Sequence, residues 1–99
     1  MRESEVESAL KRACLQANGR SYKWISPGQT GVPDQVVLKP IPAEHQTLVS
    51  RYIRFVELKA PNQTPRARQT RVHDELRQLG FTVDVADTCW AAEKLMERM

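Results

Sequence analysis

The segment Arg51 to Lys59 (RYIRFVELK) constrains this chain more than any other stretch. β-Branched and aromatic residues dominate it, and the period of two in a strand puts Ile53, Phe55, Glu57 and Lys59 on one face. Ile53 and Phe55 are core candidates. A carboxylate and an amine coming directly after two core positions break the apolar pattern, and such breaks concentrate at functional sites. The chain is therefore expected to build a sheet around this strand, with Glu57 and Lys59 near its end.

The remaining elements are read from spacing. Val6, Ala9, Leu10, Ala13 and Cys14 fall at helical intervals between Glu3 and about Ala17, with Asn18-Gly19 as the stop. Tyr22 to Ile25 is short and β-prone, and Ser26-Pro27-Gly28 closes it. Residues 28 to 33 (GQTGVP) read as a loop, and Asp34 to Lys39 as a strand ended by Pro40 and Pro42. Pro40 to Ser50 shows no clear period and is expected to be a connecting loop or hairpin extension. Ala60 to Gln63 reads as a turn. Thr64-Pro65 then supplies an N-cap and a first-turn proline for a helix carrying Val72, Leu76 and Leu79, which stops at Gly80. Phe81 to Ala86 alternates as a strand does, and a closing helix comes after Thr88. The expected fold is a small α/β domain spanning residues 1–99, in the order α-β-β-β-α-β-α, with helices flanking one central mixed sheet.

Length and charge narrow the function classes. Ninety-nine residues hold one modest core. No apolar run approaches the length that spans a bilayer, and the acidic N-terminus lacks the apolar stretch of a signal peptide, so no membrane association and a cytoplasmic location are expected. Cys14 and Cys89 stand far apart, as do His45 and His73, and none has the clustering of a zinc site. Each reads as a packing or surface residue. The net charge is +3, but residues 51 to 77 alone carry +4, from seven basic and three acidic side chains. A basic stretch favours polyanionic partners, although arginines on a helix are more often a solvated face.

Asp34 opens a strand directly after a glycine-containing loop, and Glu57 and Lys59 end another. Hydrolysis of a phosphodiester needs a metal ion to activate water and neutralise phosphate charge, and Mg²⁺ takes one or two carboxylates with water completing its octahedron. Asp34 and Glu57 can supply those carboxylates, and the Leu58 carbonyl a third oxygen. Lys59 can hold the attacking water or stabilise developing negative charge. Glu7 on the first helix and Gln69 in the first turn of the second are further candidates, Gln69 as an amide bridging metal-bound water and a phosphate oxygen. Singly, each has a plainer reading: Asp34 as a turn residue, Glu57 with Lys59 as an edge-strand pair, Glu7 and Gln69 as ordinary helix positions. Their joint order is much harder to reach by accident.

In that order the chain resembles the VRR-NUC branch of the PD-(D/E)XK nuclease superfamily, in its stand-alone phage and bacterial form. The resemblance runs from Glu5-Val6-Glu7 to Val85. It is carried most specifically by Ser26-Pro27-Gly28, Gly31-Val32-Pro33-Asp34 and Phe55-Val56-Glu57-Leu58-Lys59-Ala60-Pro61, with Gln69, Leu76, Leu79-Gly80 and Val83 after them. It implies a metal-dependent endonuclease using Mg²⁺ or Mn²⁺, with Asp34 and Glu57 as metal-binding acids and Lys59 as the catalytic lysine. Glu7 and Gln69 match the family's helix glutamate and helix glutamine. Stand-alone members look like homodimers that cleave branched DNA, particularly four-way junctions. The Pro40 to Ser50 connection is longer than in the simplest family pattern.

Two symmetric cuts on a branched substrate call for two active sites related by a two-fold axis, hence a homodimer. Pro40 to Ser50 and Trp90 to Met99 are the candidate dimer surfaces. Arg66, Arg68 and Arg71, near a helix N-terminus, are the candidate DNA phosphate contacts, with Lys23 and Gln29 secondary to them. The rival readings are a restriction-type enzyme or exonuclease acting on linear DNA, a non-catalytic DNA-binding module on the same fold, and a partner-binding accessory subunit.

Overall fold

The computed structural model describes residues 1–25 and 28–99, so the Ser26-Pro27 part of the sequence motif lies outside the described residues. Over the described residues the chain is a mixed α/β protein with four helices and two small sheets. Its elements are α1 (Glu3–Gln16), β1 (Arg20–Lys23), β2 (Gln35–Leu38), α2 (Ala43–Ser50), β3 (Phe55–Leu58), α3 (Ala67–Leu79), β4 (Val83–Ala86) and α4 (Cys89–Arg98). They fall into two compact units, Met1–Pro40 and Ile41–Met99. No described helix is long and apolar enough to cross a membrane.

In the first unit, α1 ends where the sequence places its stop. Asn18 takes the left-handed conformation (φ 61°), and the Gly19 N–H returns to the Cys14 carbonyl at 2.8 Å. The chain then reverses into β1, which pairs antiparallel with β2 in the register Arg20↔Leu38 to Lys23↔Gln35. β1 thus begins two residues before the expected Tyr22. Pairing with β2 sets its limits, and the Trp24 N–H still reaches the Asp34 carbonyl at 2.8 Å beyond the ladder. Cys14 and Leu38 are buried here. Gly19 is buried as well, and the Leu38 carbonyl oxygen occupies the space that a Cβ on residue 19 would need.

In the second unit β3 and β4 pair in parallel, Phe55↔Val83 to Leu58↔Ala86, and Phe55 meets the Phe81 ring edge-to-face at 5.6 Å. Between them runs α3. It packs against β4 and buries Leu76 and Leu79, each burial contributing on the order of 1.5–3 kcal/mol. Gly80 ends the helix at φ 101°. The Gln46 side chain fills the space beside it, with Nε2 2.7 Å from where a Cβ on residue 80 would stand.

Three expectations need correction. The strands form two separate ladders, each of two strands, rather than one central mixed sheet. Pro40 and Pro42, lacking N–H donors, end β2 and keep the chain after it out of the ladder. The connection after Pro40 contains a helix, α2, and is neither loop nor hairpin. Its eight residues have no apolar stripe and bury none of their side chains, so periodicity could not signal it. The strong strand Arg51 to Lys59 is only half a strand. The N–H groups of Arg51, Tyr52 and Ile53 bond back to Leu48 and Val49, finishing α2, and Ile53 is 50% exposed instead of core.

Arg54 marks the change from helix end to strand. Its Nε donates to the Ser50 carbonyl at 3.0 Å and its Nη2 to the Arg98 carbonyl at 3.2 Å, while Nη1 lies 3.6 Å from Asp84 Oδ2. That oxygen is buried and accepts no hydrogen bond, so the guanidinium charge is what offsets its desolvation. Arg98 adds a more distant partner at 4.0 Å from Oδ1. One side chain thereby ties the end of α2, the strand β4 and the end of α4.

The closest steric fit in the first unit supplies a test. Gly19→Ala puts a methyl group against a strand carbonyl that cannot yield without breaking the β1–β2 ladder. Urea unfolding is expected to show a loss of about 1–3 kcal/mol, the usual range for overpacking. A variant as stable as the parent would mean that Leu38 does not approach Gly19 this closely.

Candidate active site

Phe55, Glu57 and Lys59 share one face of β3, as the alternation requires, while Val56 and Leu58 on the other face are exposed. The Lys59 N–H bonds to the Ala86 carbonyl at 2.9 Å, which continues the parallel ladder one residue past the strand and fixes the backbone beneath its side chain. The Lys59 ammonium stands 3.8 Å from Glu57 Oε2, with side-chain exposures of only 17% and 24%. This is a charge pair too long for a good hydrogen bond, held in partial burial where screening is weak.

Two residues of α3 complete the surroundings of Glu57. Gln69 Nε2 donates to Oε2 at 3.1 Å, and His73 Nε2 lies 3.3 Å from Oε1. Gln69 and His73 are four residues apart and so lie one above the other on the same helix face. The amide of Gln69 is oriented at both ends. Its Oε1 accepts the Arg66 N–H at 3.0 Å, satisfying one of the donors left open at the helix start, and this turns its NH₂ toward the carboxylate. The helix start itself is displaced from the expected Thr64-Pro65. Arg66 is the N-cap, and Gln69 does the capping from inside the first turn.

The first unit carries its own polar group. Glu7 projects from α1, Lys23 ends β1, and Asp34 precedes β2. Glu7 Oε1 accepts from Gln35 Nε2 at 3.4 Å and lies 3.8 Å from Lys23 Nζ. With Leu10 and Trp24 these residues line an open cleft of about 480 Å³. The Asp34 side chain is exposed, and the positive φ of Gly31 (89°) shapes the loop that delivers it. Lys23, a candidate phosphate contact, is thus engaged with Glu7, while Gln29 is exposed in the loop. Arg66, Arg68 and Arg71 are all exposed at the beginning of α3, whose first turn holds no acidic residue to oppose an anion.

The structure thus brings Glu57, Lys59 and Gln69 together, and separately sets Glu7 beside Lys23 in the cleft that Asp34 also lines. It adds one residue that the sequence pattern did not single out. His73, expected to be a packing or surface histidine, is buried and faces Glu57. The signal was present, because Gln69, His73, Leu76 and Gly80 fall on one helical stripe; a histidine there points where the glutamine points. His45 is exposed on α2, Cys14 is buried and Cys89 exposed, all without a clustered partner set.

Among the described residues no group of three or more His, Cys, Asp or Glu side chains is arranged to hold a metal ion. A hard divalent cation of the Mg²⁺ type does not require one, since it binds through one or two carboxylates and keeps most of its water. Glu57 fits that demand. Each of its oxygens is engaged by one side-chain hydrogen-bonding group of α3, and a carboxylate oxygen offers about two acceptor directions.

Comparison with known proteins adds kinship to this geometry. No family model matches the chain, and no solved structure matches it. A phage protein does: the protein named "Putative nuclease p44" from Acyrthosiphon pisum secondary endosymbiont phage 1 is 38% identical over 88 residues, which span 89% of this chain and 85% of the relative. The chain belongs to the family of that phage protein.

Gln69 offers a structural test independent of any activity. Gln69→Ala removes the acceptor at the helix start and a donor to Glu57, and is expected to lower stability by about 1 kcal/mol, the usual value of a lost cap. Arg68→Ala on the solvated face should stay within about 0.5 kcal/mol of the parent. Equal stability of the two variants in urea would show that the Gln69 bridge holds nothing.

Proposed function

We propose that this chain is a metal-dependent endonuclease that cleaves branched DNA, four-way junctions in particular, as a homodimer. The observation that carries the proposal is the Glu57–Lys59 pair, half-buried on one face at the end of β3, in a chain whose phage relative is named a nuclease. A carboxylate and an ammonium held side by side at a strand end are what metal-assisted attack on a phosphodiester needs from a protein.

In this reading a bound Mg²⁺ or Mn²⁺ would supply charge neutralisation and water activation. Glu57 would hold it through its carboxylate, with the Leu58 carbonyl as a further oxygen. Lys59 orients the attacking water and stabilises the negative charge that grows on the phosphate oxygens. Asp34 and Glu7 keep the metal-binding roles that the sequence resemblance gives them. Gln69 holds Glu57 with one hydrogen of its NH₂ and is itself oriented by the Arg66 N–H, and the second hydrogen is the one that would reach metal-bound water and a phosphate oxygen. Arg66, Arg68 and Arg71 contact the DNA backbone at the start of α3, with Lys23 and Gln29 as minor contacts, which positions the substrate without reading its bases. The symmetry of two cuts on one junction is the argument for a dimer, with α2 and the Trp90-to-Met99 segment as the proposed surfaces. The full chain would then act as one PD-(D/E)XK-type domain.

The test is cleavage of a labelled immobile four-way junction beside linear duplex, in Mg²⁺, Mn²⁺ and EDTA. Wild type should place paired, symmetric nicks in the junction in either metal and none in EDTA. Lys59→Ala should lower the rate by at least ~10²-fold, the usual consequence of losing a group that stabilises developing charge. Equal cutting of linear duplex would leave a nuclease without junction selectivity, of restriction or exonuclease type. Binding without cutting in either metal would replace the enzyme with a non-catalytic DNA-binding module.

A further inference from the structure

The apolar stripe of α3 buries Leu76 and Leu79, and an aliphatic side chain at position 73 would extend that stripe. The residue is instead a histidine, with 9% of its side chain exposed. A buried imidazole is unfavourable unless it is hydrogen-bonded, and the partner of its Nε2 is Glu57 Oε1 at 3.3 Å. Facing a carboxylate, this nitrogen donates, so the ring carries its hydrogen on Nε2.

The consequence lies in the orientation of Glu57. Its side chain has a broad terminal torsion, and a single hydrogen bond leaves the carboxylate free to swing. Gln69 holds Oε2 from the first turn of α3, and His73 holds Oε1 from one turn deeper. Two donors on one helix face restrain both oxygens of the carboxylate while using one acceptor direction of each. His73 is the firmer of the two, being buried within the helix where Gln69 sits at its beginning.

We propose that His73 is a positioning residue for Glu57. Through Nε2–H it holds Oε1 so that the carboxylate is presented to a divalent cation in one orientation. The proposal rests on Glu57 being a metal ligand, as the proposed function has it. It assigns His73 no contact with substrate or ion.

The experiment measures Mn²⁺ affinity by calorimetry without DNA, junction-cleavage kcat and KM, and thermal unfolding in EDTA, for wild type, His73→Leu and His73→Gln. His73→Leu removes the donor, and His73→Gln restores an amide N–H at the reach of Nε2. His73→Leu is expected to weaken Mn²⁺ binding and lower kcat by about 10–100-fold, the usual effect of losing a hydrogen bond to a ligating group, with KM for DNA unchanged. His73→Leu should still fold in EDTA, with only the modest loss of stability that one missing hydrogen bond to Glu57 brings, and His73→Gln should recover most of both losses. Wild-type Mn²⁺ affinity in His73→Leu, or equal impairment of folded His73→Gln and His73→Leu, would overturn the positioning role while leaving the nuclease in place. If His73→Leu does not fold, His73→Asn takes its place, because its shorter amide does not reach Glu57; unchanged affinity there overturns the role in the same way. A wild type that neither binds Mn²⁺ nor cleaves any substrate would instead remove the proposed function, and this inference with it.

Discussion

The second unit depends on a parallel pairing of four residues with four, Phe55–Leu58 against Val83–Ala86. Parallel neighbours cannot be joined by a tight turn; the chain must leave one strand, cross over, and return at the starting end of the next. α3 is that crossover. Its position against the strands is set by the pairing, and so is the proximity of its inner stripe to the end of β3. Glu57 acquires Gln69 and His73 as neighbours because the return path of the chain has to pass over it.

That geometry explains how a carboxylate is kept in a half-buried place. Removing it from water is unfavourable, and three groups offset this: the Gln69 amide, the His73 ring and the Lys59 ammonium. None of them is a short, bidentate partner that would exhaust the carboxylate. The arrangement compensates the charge by contacts that still leave acceptor capacity on both oxygens. Asp84 is compensated differently. Its Oδ2 is buried beside Arg54 with no hydrogen bond, and its environment joins helix ends to a strand.

Much of this was legible in the sequence, for reasons tied to particular residues. Asn18 and Gly80 announce helix ends because few residue types tolerate a left-handed backbone, and Gly19 stands where the Leu38 carbonyl leaves no room for a side chain. Thr88 caps α4 through its hydroxyl, which accepts the Ala91 N–H at 3.0 Å. Glu57 and Lys59 share a face because two-residue spacing on a strand allows nothing else. The illegible parts depended on competition between neighbouring elements. Arg51 to Ile53 are good strand formers, yet their N–H groups complete α2, and α2 has no periodic stripe by which to be found. Thr64-Pro65 looks like a helix start, but the helix is capped at Arg66, two residues further on, by the Gln69 side chain. The division of the strands into two ladders rests on which edges meet, a question that local patterns do not address. His73 reads as a lone histidine in the sequence because its partner is 16 residues away in the chain.

The packing of Gln46 over Gly80 reaches beyond the geometry of one turn. Gln46 itself is held, through Nε2, by the Ile41 carbonyl, and the Ile41 N–H is bonded to Leu79 next to Gly80. Positions 41, 46 and 80 therefore form a closed circuit in which glycine at 80 is required twice, by the positive φ of its backbone and by the Gln46 side chain lying against it. Sequence drift along this edge is unequal: Gln46 can shorten and leave only a gap, while any side chain at 80 is strained whatever stands at 46. Descendants of this chain should thus keep glycine at 80 while position 46 varies.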